Sequence, residues 1–124
     1  MTKSQNLFEQ FRAMIQTDNI IADLANGLIG HHAIISGPLG NRPLLYADYV
    51  ASGRALRQIE DFVLAELLPF YANSHTEASY VGGFMTNLRR EARDILRAEV
   101  NASKDHAVIF TGSGATAGIN RISH

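Results

Sequence analysis

Residues 108–120 read VIFTGSGATAGIN. An apolar run, Ala107 to Thr111, breaks into a stretch holding three glycines, one serine and two threonines within the eight positions 111–118, after which apolar residues resume. The run has the character of a buried β-strand, and the glycine-rich piece that follows reads as a turn opening a helix. That order collects backbone N–H groups, together with the hydroxyls of Ser113 and Thr116, at a helix N-terminus. Unpaired donors and the helix dipole favour an anion there, and phosphate is the obvious one. The plainer alternative is a glycine turn, capped by Ser113, that only lets strand and helix pack closely.

Three motif chemistries compete for this turn. Gly112, Gly114 and Ala117 satisfy the dinucleotide pattern G-x-G-x-x-G/A, but that pattern needs an acidic residue about 20 positions later, and the sequence ends at His124. A serine-hydrolase elbow requires glycines flanking Ser113 in G-x-S-x-G, where Thr111 and Ala115 stand instead. A Walker A loop is excluded because no Lys-Ser or Lys-Thr pair follows the glycines.

Composition narrows the surroundings of the site. The 124 residues, 46% of them hydrophobic, suffice for one domain with a core. Eleven basic and twelve acidic residues leave a formal charge of -1, which favours neither nucleic acid nor an anionic membrane as partner. The absence of cysteine rules out disulfides and thiolate chemistry within these residues. The start MTKSQNLFEQF lacks the pattern of a signal peptide, and no apolar run approaches the roughly 18 residues of a membrane span. The expectation is a cytoplasmic protein without membrane or nucleic-acid partners.

Along the chain, Leu7, Phe8, Phe11, Met14 and Ile15 recur at helical spacing, predicting a helix near 5–16, and Ile20, Ile21, Leu24 and Leu28 repeat the pattern. SGPLGNRP (36–43), with two glycines and two prolines, reads as a loop, and LLYAD (44–48) as a short strand. Leu56, Ile59, Phe62, Val63 and Leu67 predict a helix over 54–68 that Pro69 ends. YANSHTEASYVGG (71–83) has no period and reads as irregular. Leu88, Ala92, Ile95 and Leu96 predict a helix over 84–100, its arginines forming a solvated face with pairs such as Arg90 and Asp94, and a strand follows near 107–111. His31 and His32, being adjacent, are expected to point apart and so make no metal pair.

YADYVASG (46–53), YANSHTEAS (71–79) and VIFTGSGATAGIN (108–120) occur in the order and with the spacing found in class V aminotransferases, the family of cysteine desulfurases and selenocysteine lyases. Residues 40–122 resemble the N-terminal portion of these enzymes. The resemblance implies an α/β fold, the N-terminal part of the large domain of a fold type I transferase dependent on pyridoxal 5'-phosphate. Most of this part would be helical, with one or two short strands. Residues 1–40 would be a helical lead-in and 41–124 the start of the cofactor-binding domain. The family's loop commonly reads F-T-S-G-A-T-E-A; here one extra glycine precedes the Ser-Gly-Ala-Thr core, and Ala117 stands where Glu is frequent. By resemblance, Gly114, Ala115 and Thr116 hold the cofactor's phosphate, with Ser113 beside them. Ala51 would lie close to an amino-acid substrate. His75 matches an H-T pair near the active site in part of the family, although a histidine in a polar loop is by itself an ordinary surface residue. For Asp48 and Tyr49 a capping or packing role is the preferred reading.

The family's cofactor-bonding lysine, its pyridine-pairing aspartate and its ring-stacking aromatic all lie after the phosphate loop. The lysines here are Lys3 and Lys104, neither in a matching context. Two expectations follow. Either the chain is the N-terminal portion of a pyridoxal phosphate enzyme acting on an amino acid, inactive alone and homodimeric when complete, or it is a small helical module that binds a nucleotide or phosphate through GSGATA.

Overall fold

The computed structural model describes residues 7–74, 76–112 and 114–123. Among them are five α-helices and a two-stranded antiparallel sheet, a mixed α/β arrangement in which helix predominates. The chain divides into two compact units, Met1–Ala72 and Asn73–His124.

In the first unit, α1 (Leu7–Ile15) and α2 (Ile20–Gly27) follow the apolar spacing of their sequences. Leu7 is fully buried, and the ring of Phe11 meets that of Phe62 at 4.6 Å between centroids, so the apolar stripe of α1 is used where the spacing predicts. The region expected to be a loop, 36–43, is instead most of a hairpin. Strand β1 (Ile34–Gly37) pairs with β2 (Gly40–Pro43), with Ile34 opposite Pro43 and Ser36 opposite Asn41. The glycines and prolines are the turn and its flank. Pro38 suits the second position of a tight turn, Gly40 takes a φ of 87°, and Pro43 sits at the end of the ladder, where its missing N–H costs least. A side-chain bond from Ser36 Oγ to Asn41 Oδ1 (2.7 Å) ties the strands together.

The strand expected at 44–48 does not form. The chain there folds back on itself. The Tyr46 hydroxyl lies 2.6 Å from both the carbonyl oxygen and the Oγ of Ser52, and Asp48 Oδ1 accepts the Ala51 N–H (3.3 Å), confirming the local capping role for Asp48. The helix expected over 54–68 begins as α3 (Arg57–Phe62), widens into a π-helical turn at Val63–Leu67 and tightens into a 3-10 turn at Leu68–Phe70. Pro69 lies inside that last turn rather than beyond the helix. It has no N–H to give the Ala65 carbonyl, so the α pattern cannot continue through it. Helices α2 and α3 meet where Gln58 covers Gly27, its Nε2 donating to the Asp23 carbonyl (2.8 Å); a Cβ on Gly27 would overlap the Gln58 amide.

In the second unit, α4 (Tyr80–Glu99) starts four residues earlier than the expected 84. Gly82 and Gly83 look like breakers in sequence, yet the helix runs through both. Ser79 caps it by accepting the Gly82 N–H (3.1 Å), and Gly82 is required because a Cβ there would collide with the Thr76 carbonyl oxygen. Phe84 and Leu88 are the buried apolar residues of this helix. At its far end Asn101 takes the left-handed conformation (φ 53°), the Ala102 N–H reaches the Arg97 carbonyl (2.9 Å) and the Asn101 N–H that of Ala98 (3.1 Å), a Schellman closure. Removing the N-cap with Ser79→Ala is expected to cost about 1 kcal/mol, read as a lower urea midpoint with unchanged slope.

Residues 107–111 run toward the last helix without pairing to another strand among the described residues, contrary to the strand expected there. Pairing, not apolar content, makes a strand, and no described segment presents this one with a ladder. Ile109 and Phe110 are accordingly exposed. Helix α5 (Ala115–Ile122) follows the glycine turn as expected.

Candidate functional site: the glycine turn before the last helix

The turn owes its path to two glycines. Gly112 has φ 111°, and Gly114 has φ 81° and ψ 156°, a conformation close to glycine-only territory. Gly114 is the N-cap residue of α5, and no side chain among the described residues caps the helix. Ala115, Thr116 and Ala117 form the first turn, where an α-helix leaves its N–H groups without intrahelical partners, and no acidic residue occupies that turn. Gly114, Ala115 and Thr116 are exposed. A Cβ built on Gly114 meets no atom within 4 Å. Ser113 lies outside the described residues.

These features suit a phosphate group. A dianion is favoured by free N–H donors, a positive local potential and backbone access, and the start of α5 has first-turn N–H groups, the positive end of the helix dipole and an exposed glycine. Beside the turn, an open pocket of about 410 Å³ is lined by Ile109, Phe110, Thr111, Ala117, Asn120 and Arg121. Its lining passes from Thr111 to Ala117, so Gly114, Ala115 and Thr116 are not part of its wall.

Of the other residues singled out in sequence, Ala51 lies exposed in the turn that Asp48 closes, in the first unit, whereas the glycine turn belongs to the second. His75 lies outside the described residues. Tyr49 packs edge-on against Tyr46 at 5.1 Å, and the Arg54 guanidinium sits 4.9 Å from the Tyr46 ring centre, which accounts for Tyr49 as a packing residue. The rings of His31 and His32 do not point apart: their centroids are 4.7 Å apart and the rings meet edge-to-face. The residues occupy a turn, where the alternation of helix or strand does not apply. No group of three metal-ligating side chains occurs among the described residues, and no described helix is long and apolar enough to cross a membrane.

The arginine face of α4 differs from the expected arrangement. Arg90 pairs with Glu77, and Asp94 accepts from Arg97 Nη1 (2.7 Å), so the expected Arg90–Asp94 pair is replaced by two others. Arg89 and Arg93 instead converge on the ring of Phe110. The sequence carries one sign of this, two arginines four residues apart with no acid one turn from Arg89 on the same stripe. Compared with models of protein families, with curated proteins and with solved structures, the chain matches none of them.

Proposed function

We propose that the chain is the N-terminal portion of a pyridoxal phosphate enzyme of the class V aminotransferase type, and that the start of α5 holds the cofactor's phosphate. The observation that carries the proposal is a helix start with no cap from a described side chain, led by an exposed, positive-φ glycine. The three sequence blocks at 46–53, 71–79 and 108–120 supply the family part of the reading. Fold type I architecture, a homodimer, a cytoplasmic location and an amino-acid substrate belong to the same proposal, the reaction being carbon–sulfur or carbon–selenium cleavage or amino transfer.

In this reading Gly114 lets the backbone approach the phosphate, the N–H groups of Ala115 and Thr116 donate to its oxygens, and the Thr116 hydroxyl adds one more donor. The helix dipole adds to the attraction. Pyridoxal phosphate, when bound, supplies the electron sink for chemistry at the amino acid's α-carbon. Ala51 would leave room for the substrate and His75 would stand near it.

Thr116→Ala tests the assignment. One lost hydrogen bond to a charged group corresponds to about 1.5 to 3 kcal/mol, roughly a ten- to a hundredfold weaker affinity for pyridoxal phosphate, with the circular dichroism spectrum unchanged. Unaltered affinity would contradict it. A second expectation concerns the lysines: borohydride reduction of the 124-residue chain with pyridoxal phosphate leaves no stoichiometric covalent adduct, because Lys3 and Lys104 are the lysines present and neither resembles the family's. A single stoichiometric adduct on Lys104, read by mass spectrometry, would overturn that expectation. The alternative, a phosphate- or nucleotide-binding module using the same turn, predicts equal affinity for inorganic phosphate and for pyridoxal phosphate.

A further inference from the structure

Helix α4 carries four arginines, and they divide into two kinds. Arg90 meets Glu77 and Arg97 meets Asp94, so each of these charges is matched by a carboxylate. Arg89 and Arg93, one helical turn apart on one stripe, meet no carboxylate among the described residues. Like charges at this spacing repel, and here both guanidiniums are drawn toward a single ring, their central carbons 6.0 and 5.0 Å from the centre of Phe110. An aromatic face steadies a guanidinium but accepts few of its N–H groups. The donors of both side chains are therefore left over. Arg89 Nη1 gives one hydrogen bond, to Ser74 Oγ (2.8 Å), and Arg93 gives none to a described residue.

We propose that Arg89 and Arg93, with the hydroxyl of Ser74, form a binding site for a phosphate group. Because Ser74 Oγ accepts from Arg89, its own hydrogen remains available to a ligand. Thr86 Oγ1 donates to the Ser74 carbonyl (2.8 Å) and so anchors that residue to α4. Ser74, Thr86, Arg89 and Arg93 line an open pocket of about 130 Å³ with no acidic side chain in its lining. That space is well below the roughly 300 to 1,000 Å³ of sites that hold a whole small molecule, so it takes one small group while the rest of a larger ligand stays outside. Two planar guanidiniums, both held near one aromatic ring, match a phosphate's charge of about -1.5 to -2 and its multiple oxygens better than the single charge of a carboxylate. The site is formed by α4 and Ser74, not by the start of α5, and does not rest on the pyridoxal phosphate reading.

The test is titration of the 124-residue chain with inorganic phosphate, methyl phosphate and acetate, followed by the Nε–Hε correlations of the arginine side chains. Saturable shifts of Arg89 and Arg93 with phosphate, and at least tenfold weaker binding in Arg93→Gln and Arg89→Gln, are expected. Arg93→Lys, which keeps the charge without the planar fork, should recover part of the loss. Retained affinity for methyl phosphate identifies the phosphate end of a larger molecule as the ligand, and affinity for the inorganic ion alone identifies the free ion; both support the site. Acetate binding as tightly as phosphate would overturn it. So would shifts confined to the backbone amides of residues 114–116, a result that removes this site and leaves the phosphate role of the α5 turn standing.

Discussion

Gly82→Ala is expected to lower the stability of the chain by about 3 kcal/mol, the sum of two losses at one point. The new Cβ would overlap the backbone oxygen of Thr76 and come within 3.0 Å of Ser79 Oγ and 3.2 Å of Thr76 Cγ2. Backbone cannot rotate away as a side chain can, so α4 or the 76–79 segment has to move, and overpacking of this kind costs about 1 to 3 kcal/mol. Any such movement also spoils the Ser79 cap, which rests on the Gly82 N–H itself (3.1 Å) and contributes about 1 kcal/mol. Urea denaturation provides the measurement. The neighbouring Gly83→Ala is the control, since a Cβ there would touch nothing closer than the Glu77 carbonyl at 4.0 Å and alanine favours a helix interior by up to about 1 kcal/mol. Equal effects at positions 82 and 83 would show that the close approach to Thr76 is not what requires glycine.

Gly114→Val is expected to abolish phosphate binding at the α5 turn for a conformational reason. Space is not the obstacle, because a Cβ at Gly114 meets nothing within 4 Å. The obstacle is the backbone: φ 81° with ψ 156° is a region essentially confined to glycine, and holding another residue there costs about 1 to 3 kcal/mol, more for a β-branched one. Valine therefore re-routes the chain into α5 and displaces the first N–H groups of the helix. The expected result is a loss of pyridoxal phosphate affinity of more than a hundredfold, larger than for Thr116→Ala, while helix content stays near that of the parent. Gly114→Ala should fall between the two. An affinity equal to the parent's in Gly114→Val would mean that the turn's conformation plays no part in binding.

The helices were the legible part of the fold because their signal is local. Leu7, Phe11 and Ile15 place the stripe of α1, Leu88 and Ala92 lie on the stripe of α4, and the glycine turn announces α5. The strands were not legible, since a strand needs a partner as well as a composition. Ala107–Thr111 has the apolar content of a strand and no ladder among the described residues, whereas Gly40–Pro43 has the content of a loop and pairs with Ile34–Gly37. The start of α4 was misread for a different reason: Gly82 is a poor helix former in isolation, and the Thr76 carbonyl that demands it belongs to a segment without periodicity. Within the site, the turn and its helix could be read from residues 111–118. The meeting of Arg89, Arg93 and Phe110 could not, because it depends on how the 107–111 segment returns to α4.

If the N–H groups at the start of α5 recognise a phosphate carried by pyridoxal, the phosphate and not the ring must move them. Two titrations of the isotopically labelled chain, one with pyridoxal phosphate and one with pyridoxal, followed at the backbone amides of Gly114, Ala115 and Thr116, separate the two. Saturable shifts of these three amides are expected with pyridoxal phosphate and none with pyridoxal. Unmoved amides in the first titration, or equal shifts in both, would contradict that recognition.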